Sequence, residues 1–139
     1  MIDLRSRWLP VILTLVLLLS SCARAEKVSL ENLVKDAPSY EGRIIRTEAC
    51  LSSTRHGQSF YPCSDRTRES GLAFRLEEPA RLSPSGQRLE KAGYENWAPA
   101  LHDRQVRVDL SGTVELENRV YWIVVTKVYE VEIGRSAVR

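Results

Sequence analysis

An unbroken apolar run from Leu9 through Leu19 opens the chain, and short amphipathic stretches separated by polar connections follow it. Ser29 stands before Leu30, Leu33 and Val34, with Glu31 in the first turn. This spacing predicts a short helix capped by Ser29 and ended by Pro38, near Asp36 or Ala37. After a turn at Tyr40-Glu41-Gly42-Arg43, Ile45, Thr47, Ala49 and Leu51 alternate with Ile44, Arg46, Glu48 and Cys50, the two-residue period of a strand. Ser52 to Ser59 reads as a polar, hairpin-like loop. Phe60-Tyr61-Pro62-Cys63 resumes an extended segment that Pro62 places at an edge or bulge. Gly71 to Leu76 is a third strand, with Leu72, Phe74 and Leu76 on one side.

Pro79 and Pro84 bound a further loop. Ser85 to Trp97 is helix-compatible through Leu89 and Ala92, weakened by Gly93 and ended by Pro99. Val106, Val108, Leu110, Val114 and Leu116 mark a half-buried strand with a kink or bulge expected at Gly112. Glu117-Asn118-Arg119 turns the chain into a long strand, Val120 through Val131. There Trp122, Val124 and Val128 are expected to oppose Tyr121, Ile123, Val125 and Tyr129, and apolar residues on both sides suggest a central or barrel-closing strand. The expected organisation is a leader over residues 1–21, a tether over 22–28, one domain over 29–133 and a frayed tail over 134–139.

Helix, three strands, helix and two strands, in that order, resemble the OB-fold, a small five-stranded and partly open barrel. The likeness is carried by Leu33, by Tyr40-Glu41-Gly42-Arg43 leading into Ile45 and Ala49, by Val106 to Gly112 and by Val120 to Val131. These are similar to the helix, Tyr-x-Gly-Lys, Val-x-Val-x-Gly opening of bacterial exported OB-fold domains. Arg43 replaces the usual Lys, and Ala49-Cys50 stands where such strands often carry Gly. The resemblance implies a mainly β fold: a five-stranded OB-like barrel with a short N-terminal helix and a helix between strands 3 and 4. A different small barrel or an α+β sandwich is the alternative.

The first segment changes the picture most. Arg5 and Arg7 precede the apolar run, and Leu19-Ser20-Ser21-Cys22 closes it, which is the order of a secretory signal. About a dozen apolar residues are too few for a permanent span, which needs roughly 20. Leu19-Ser20-Ser21-Cys22 resembles the bacterial lipobox, in which the Cys sulfur receives diacylglycerol and the new amine a further acyl chain. Ala23-Arg24-Ala25 is the competing cleavage site and would release protein beginning at Glu26. Lipidation at Cys22, with Ala23 after it, implies the outer membrane facing the periplasm. The other cleavage implies a soluble exported protein.

Loss of residues 1–21 removes Arg5, Arg7 and Asp3 and lowers the formal charge from +2 to +1. So balanced a surface lacks the electrostatic footprint of a nucleic-acid binder, and export argues against that partner too. Either cleavage leaves Cys50 and Cys63 as a pair in an oxidising compartment. A disulfide is then the expected state, stabilising the fold by roughly 3 kcal/mol through loop closure. Their 13-residue spacing is not that of a Cys-x-x-Cys redox site, and with only His56 between them a zinc site lacks ligands.

No phosphate-binding, metalloprotease or calcium-loop motif occurs, and His56 and His102 have no evident Cys, Ser or Asp partner. No enzyme activity, cofactor or metal is expected. OB-folds present ligands on strands 2 and 3 and the nearby loops, so the resemblance points to Tyr61, Arg66, Arg68 and Arg75, with Phe60 and Phe74 beside them. Phe60 and Phe74 are equally readable as core, and the Arg residues as solubilising surface. The expected function is a non-catalytic, monomeric envelope protein that binds another envelope protein, an anionic glycan or a lipid headgroup through that face. A small accessory protein with no dedicated ligand site is the alternative, and an enzyme without a recognisable motif is the third.

Overall fold

The computed structural model describes residues 24–65, 67–97 and 104–134. Cys22, Arg66, Pro99, His102 and the tail beyond Gly134 therefore lie outside the described residues. Strand β1 (Glu26–Lys27) leads to helices α1 (Leu30–Lys35) and α2 (Ala37–Tyr40), then strands β2 (Ile44–Thr54), β3 (Gly57–Tyr61) and β4 (Leu72–Leu76). Helices α3 (Glu78–Leu82) and α4 (Pro84–Trp97) follow, and β5 (Val106–Glu117) and β6 (Val120–Ile133) complete the domain.

The strands close on themselves in the order β2-β3-β4-β6-β5-β2. All neighbours are antiparallel except β4 and β6, which run parallel. Closure leaves no open edge in the ring. This is a small OB-like barrel, with helices α3 and α4 between its third and fourth strands. Its interior is filled by Ile45, Ala49 and Leu51 from β2, Phe60 from β3, Val108, Leu110 and Val114 from β5, and Ile123 and Val125 from β6. Leu30 and Leu33 of α1 and Leu89 and Ala92 of α4 join the same core. Two turns of helix such as α1 persist because that packing compensates for their short length.

Local chemistry sets the element ends. Ser29 Oγ accepts from the Asn32 N–H at 3.3 Å, the expected cap of α1. Pro38 does more than stop that helix: it sits in the first turn of α2, where its missing N–H and fixed φ carry no penalty. Pro79 and Pro84 behave alike, in the first turn of α3 and at the start of α4, so the loop expected between them is helical. Ser52 to Thr54 and Gly57 to Ser59, expected as loop, are ladder residues, and Arg55-His56 alone make the turn. At the other hairpin Asn118 and Arg119 both take positive φ, 51° and 65°, the pattern of a type I′ turn.

The long strand β6 differs in parity from the expected pattern. Its register against β5 slips between Asp109 and Leu110 and again between Ser111 and Gly112. Each bulge inserts one extra residue. Ile123, Val125, Val128 and Val131 consequently all belong to the core, so Val128 shares a side with Ile123 and Val125 instead of opposing them. Gly112 is required beside the second bulge: a Cβ there would lie 2.2 Å from the Val124 carbonyl oxygen. Residues 26–28, expected as tether, are also structured. Glu26 and Lys27 pair in parallel with Ile45 and Arg46, and the Val28 N–H donates to the Arg46 carbonyl at 3.0 Å.

Candidate functional site

The face suggested by the fold resemblance is built from β3, β4 and the loop between them. Phe60 and Phe74 point into the barrel, where their rings stack with centroids 3.9 Å apart and planes 14° from parallel. Tyr61 points the other way, yet it is only 2% exposed. The Arg68 guanidinium lies 5.5 Å from its ring centroid. Cys50, opposite Tyr61 in the ladder, is joined to Cys63 with Cα atoms 5.1 Å apart. The disulfide therefore ties the start of the β3–β4 loop back onto β2.

Asp65 organises that loop. Its Oδ1 accepts from the Thr67 N–H (2.9 Å) and hydroxyl (2.7 Å), and its Oδ2 accepts from the Ser70 hydroxyl at 2.7 Å. The bonds from Ser70 and Thr67 hold the Asp65 carboxyl well below the usual carboxylate range. Arg75 stands on β4 and reaches across β6. It donates to Glu117 at 2.5 Å and to Glu115 at 3.1 Å. The structure thus brings Tyr61 and Arg68 together under one loop, and places Arg75 elsewhere in its own ion-pair cluster. His56 sits at the tip of the β2–β3 hairpin, where its Nε2 accepts from Arg55 Nε at 3.2 Å.

Two concave regions open beside this face. The first, about 470 Å³, runs along β2 where β1 has ended opposite Arg46 and β3 has not yet joined opposite Cys50. Lys27, Glu31, Arg46, Glu48, Arg107 and Asp109 line it. The Arg46 guanidinium donates to both Asp109 oxygens, at 3.1 and 2.7 Å, and lies 3.9 Å from the Tyr129 ring centroid. The Asp109 hydrogen bond raises the Arg46 pKa above its ordinary value. Ser64 donates to Glu31 at 2.6 Å across the same groove.

The second cleft, about 500 Å³, opens between the β2–β3 hairpin and α4. Arg55, Gln58, Glu90, Gly93 and Tyr94 are among its lining residues. Helix α4 lies beside β3 here, and a Cβ on Gly93 would come within 2.4 Å of Gln58 Nε2, the movable end of that side chain. One residue later the helix turns away from the barrel, which leaves Tyr94 78% exposed at the rim. Gln58 Nε2 donates at 3.4 Å to Ser53 Oγ, its cross-strand neighbour on β2. Tyr94, Arg55 and Gln58 were not among the residues singled out from sequence. The available signal was Tyr94 itself, an aromatic residue off the Leu89 and Ala92 face of its helix.

Among the described residues no three His, Cys, Asp or Glu side chains converge as a metal site. No described helix is long and apolar enough to cross a membrane. No protein-family model, curated protein or solved structure matches the chain.

Proposed function

We propose that this chain is an exported, lipid-anchored and non-catalytic module of the bacterial envelope that holds a partner protein in the cleft beside Tyr94. Export rests on the basic, apolar and small-residue order of residues 1–22. The Cys50–Cys63 disulfide supports it, because such bonds persist in oxidising compartments. The observation that carries the binding role is Tyr94, a ring 78% exposed at the rim of a cleft walled by Arg55, Gln58 and Glu90. Exposed Tyr and Arg surrounded by polar groups are the residue types that dominate interface energetics once water is excluded. One Arg and one Glu at this cleft fit a mixed-charge protein surface better than a polyanion. Tyr61 and Arg75 suit a ligand less well, since one is covered and the other is occupied by Glu115 and Glu117.

The test is a photo-crosslinking residue placed in cells at Tyr94 and, as control, at Val120 on the far hairpin. A discrete adduct at position 94, absent at 120 and lost on Arg55→Ala, is expected. No adduct at 94, or the same adducts at both positions, overturns the binding site. Intact mass of the protein from envelope fractions tests the anchor separately: an acylated start at Cys22 is expected, and an unmodified start at Glu26 overturns it.

A further inference from the structure

We infer that the tip of the β5–β6 hairpin enters the hydrophobic margin of the bilayer, held there by apolar contact. This rests on the reading of Cys22 as the acylation site. Only residues 23–25 separate Cys22 from Glu26, so the leash spans at most roughly 14 Å at about 3.6 Å per residue. Its exit is fixed, because Glu26 pairs in parallel with Ile45 and Lys27 with Arg46. Parallel pairing sends the leash out past Ile44, the first residue of β2. The hairpin projects the same way, since β5 is antiparallel to β2. Gly112 stands opposite Ile45, and β5 continues from there to Glu117, roughly 16 Å at about 3.3 Å per residue. Leash and hairpin thus leave one level of the barrel in one direction and reach about equally far.

The hairpin end has the surface that such a position needs. Three of the six large apolar or aromatic side chains exposed among the described residues lie there: Ile44, Leu116 and Val120. Leu116 pairs with Tyr121 and Val120 with Glu117, so Leu116 and Val120 point to opposite faces of the hairpin. A folded partner lying on the hairpin would cover one face, whereas lipid surrounds both. Entry by about 5–10 Å, to the boundary of headgroups and acyl chains, buries these side chains. Charge does not oppose it. Glu115 and Glu117 are ion-paired with Arg75, and Glu26 with Arg43. Arg24 on the leash and Arg119 at the tip make no ion pair among the described residues, and Glu41 at the hairpin base makes none either. The seating also orients the Tyr94 cleft. Strand β2 runs from Ile44 at this end to Thr54 at the cleft, roughly 33 Å at about 3.3 Å per residue. The cleft is therefore carried away from the bilayer, open to the aqueous side.

Photo-crosslinking of the acylated full chain in vesicles of phosphatidylethanolamine and phosphatidylglycerol tests this. A diazirine side chain at Val120 should label lipid at least about fivefold more than one at Lys91, an exposed position on α4 next to Glu90 of the cleft wall. Ile44→Ser with Leu116→Ser, both at exposed positions outside the core, should lower the lipid yield at 120 by about threefold or more. Equal yields at 120 and 91, or a yield at 120 that survives the paired replacement, overturn the seating while the anchor stands. A chain that begins unmodified at Glu26 by intact mass overturns the anchor and the seating together.

Discussion

Phe60 of β3 and Phe74 of β4 stack ring on ring inside the barrel, with centroids 3.9 Å apart. The aromatic residues that could have formed a ligand face on these strands are instead the contact that holds them together. This pairing turns both rings away from the outer face of the two strands. It also concentrates apolar burial on two strands of five residues each, whose mutual ladder is short.

Phe60→Ala is expected to destabilise the domain by about 3–5 kcal/mol, since Phe60 is fully buried and its loss leaves a cavity against Phe74. Phe60→Leu should cost less, about 1–2 kcal/mol. Urea denaturation with a double-mutant cycle against Phe74→Leu measures both the loss and the coupling. A Phe60→Ala loss under about 1 kcal/mol would contradict the packing described.

Removing the disulfide as the Cys50→Ala, Cys63→Ala double variant should lower stability by about 2–4 kcal/mol. The β3–β4 loop is where the constraint acts, because Cys63 begins it. Hydrogen exchange should therefore rise first at residues 63–70, with β5 and β6 affected only through global unfolding. Faster exchange spread evenly over the barrel would show that the bond acts on the whole fold instead.

Asp65 predicts a pH dependence of definite sign. Its folded pKa is depressed by the bonds from Ser70 and Thr67, so its contribution is present above the unfolded carboxylate value of about 3.9 and fades as pH falls toward the folded one. Melting temperature should decline below about pH 4, and Asp65→Asn should flatten that decline while lowering stability at pH 7. An unchanged acid slope in Asp65→Asn would assign the acid sensitivity to other carboxylates.

Gly112→Ala is expected to cost about 3 kcal/mol or more, because the added Cβ meets the Val124 carbonyl oxygen at 2.2 Å and a backbone atom cannot swing aside. Denaturant midpoints compare it with Gly42→Ala. At Gly42 no atom lies within 4 Å and the cost is only that of its positive φ, about 1 kcal/mol. Equal losses at the two sites would mean that β5 can shift away from β6 at the bulge.

Much of this architecture was readable in local pattern. Ser29 before Leu30 announces a cap because the interaction spans three residues. Ile45, Thr47, Ala49 and Leu51 announce an inward face because pleating alternates side chains regardless of what packs against them. Cys50 and Cys63 are the expected pair if residues 1–22 are an export signal, and the structure joins them. Pro79 and Pro84 misled, since a proline that stops one helix is equally suited to begin another, and only the packing of Ala80 and Leu89 into the core selects the second use.

What stayed hidden depends on partners far away in the chain. Val128 faces inward because two bulges against β5 shift its parity, and register between strands is set by which pairing fills the barrel. Tyr94 lines a cleft because the fold sets α4 beside Gln58 of β3, far earlier in the chain. Arg75 is bound by Glu115 and Glu117 across an intervening strand. The amino-acid order thus specified most of the strands, the helix cap and the cysteine pair, all patterns legible along the chain. Closure of the barrel decided which residues share a surface, because that depends on the mutual placement of segments that no local period encodes.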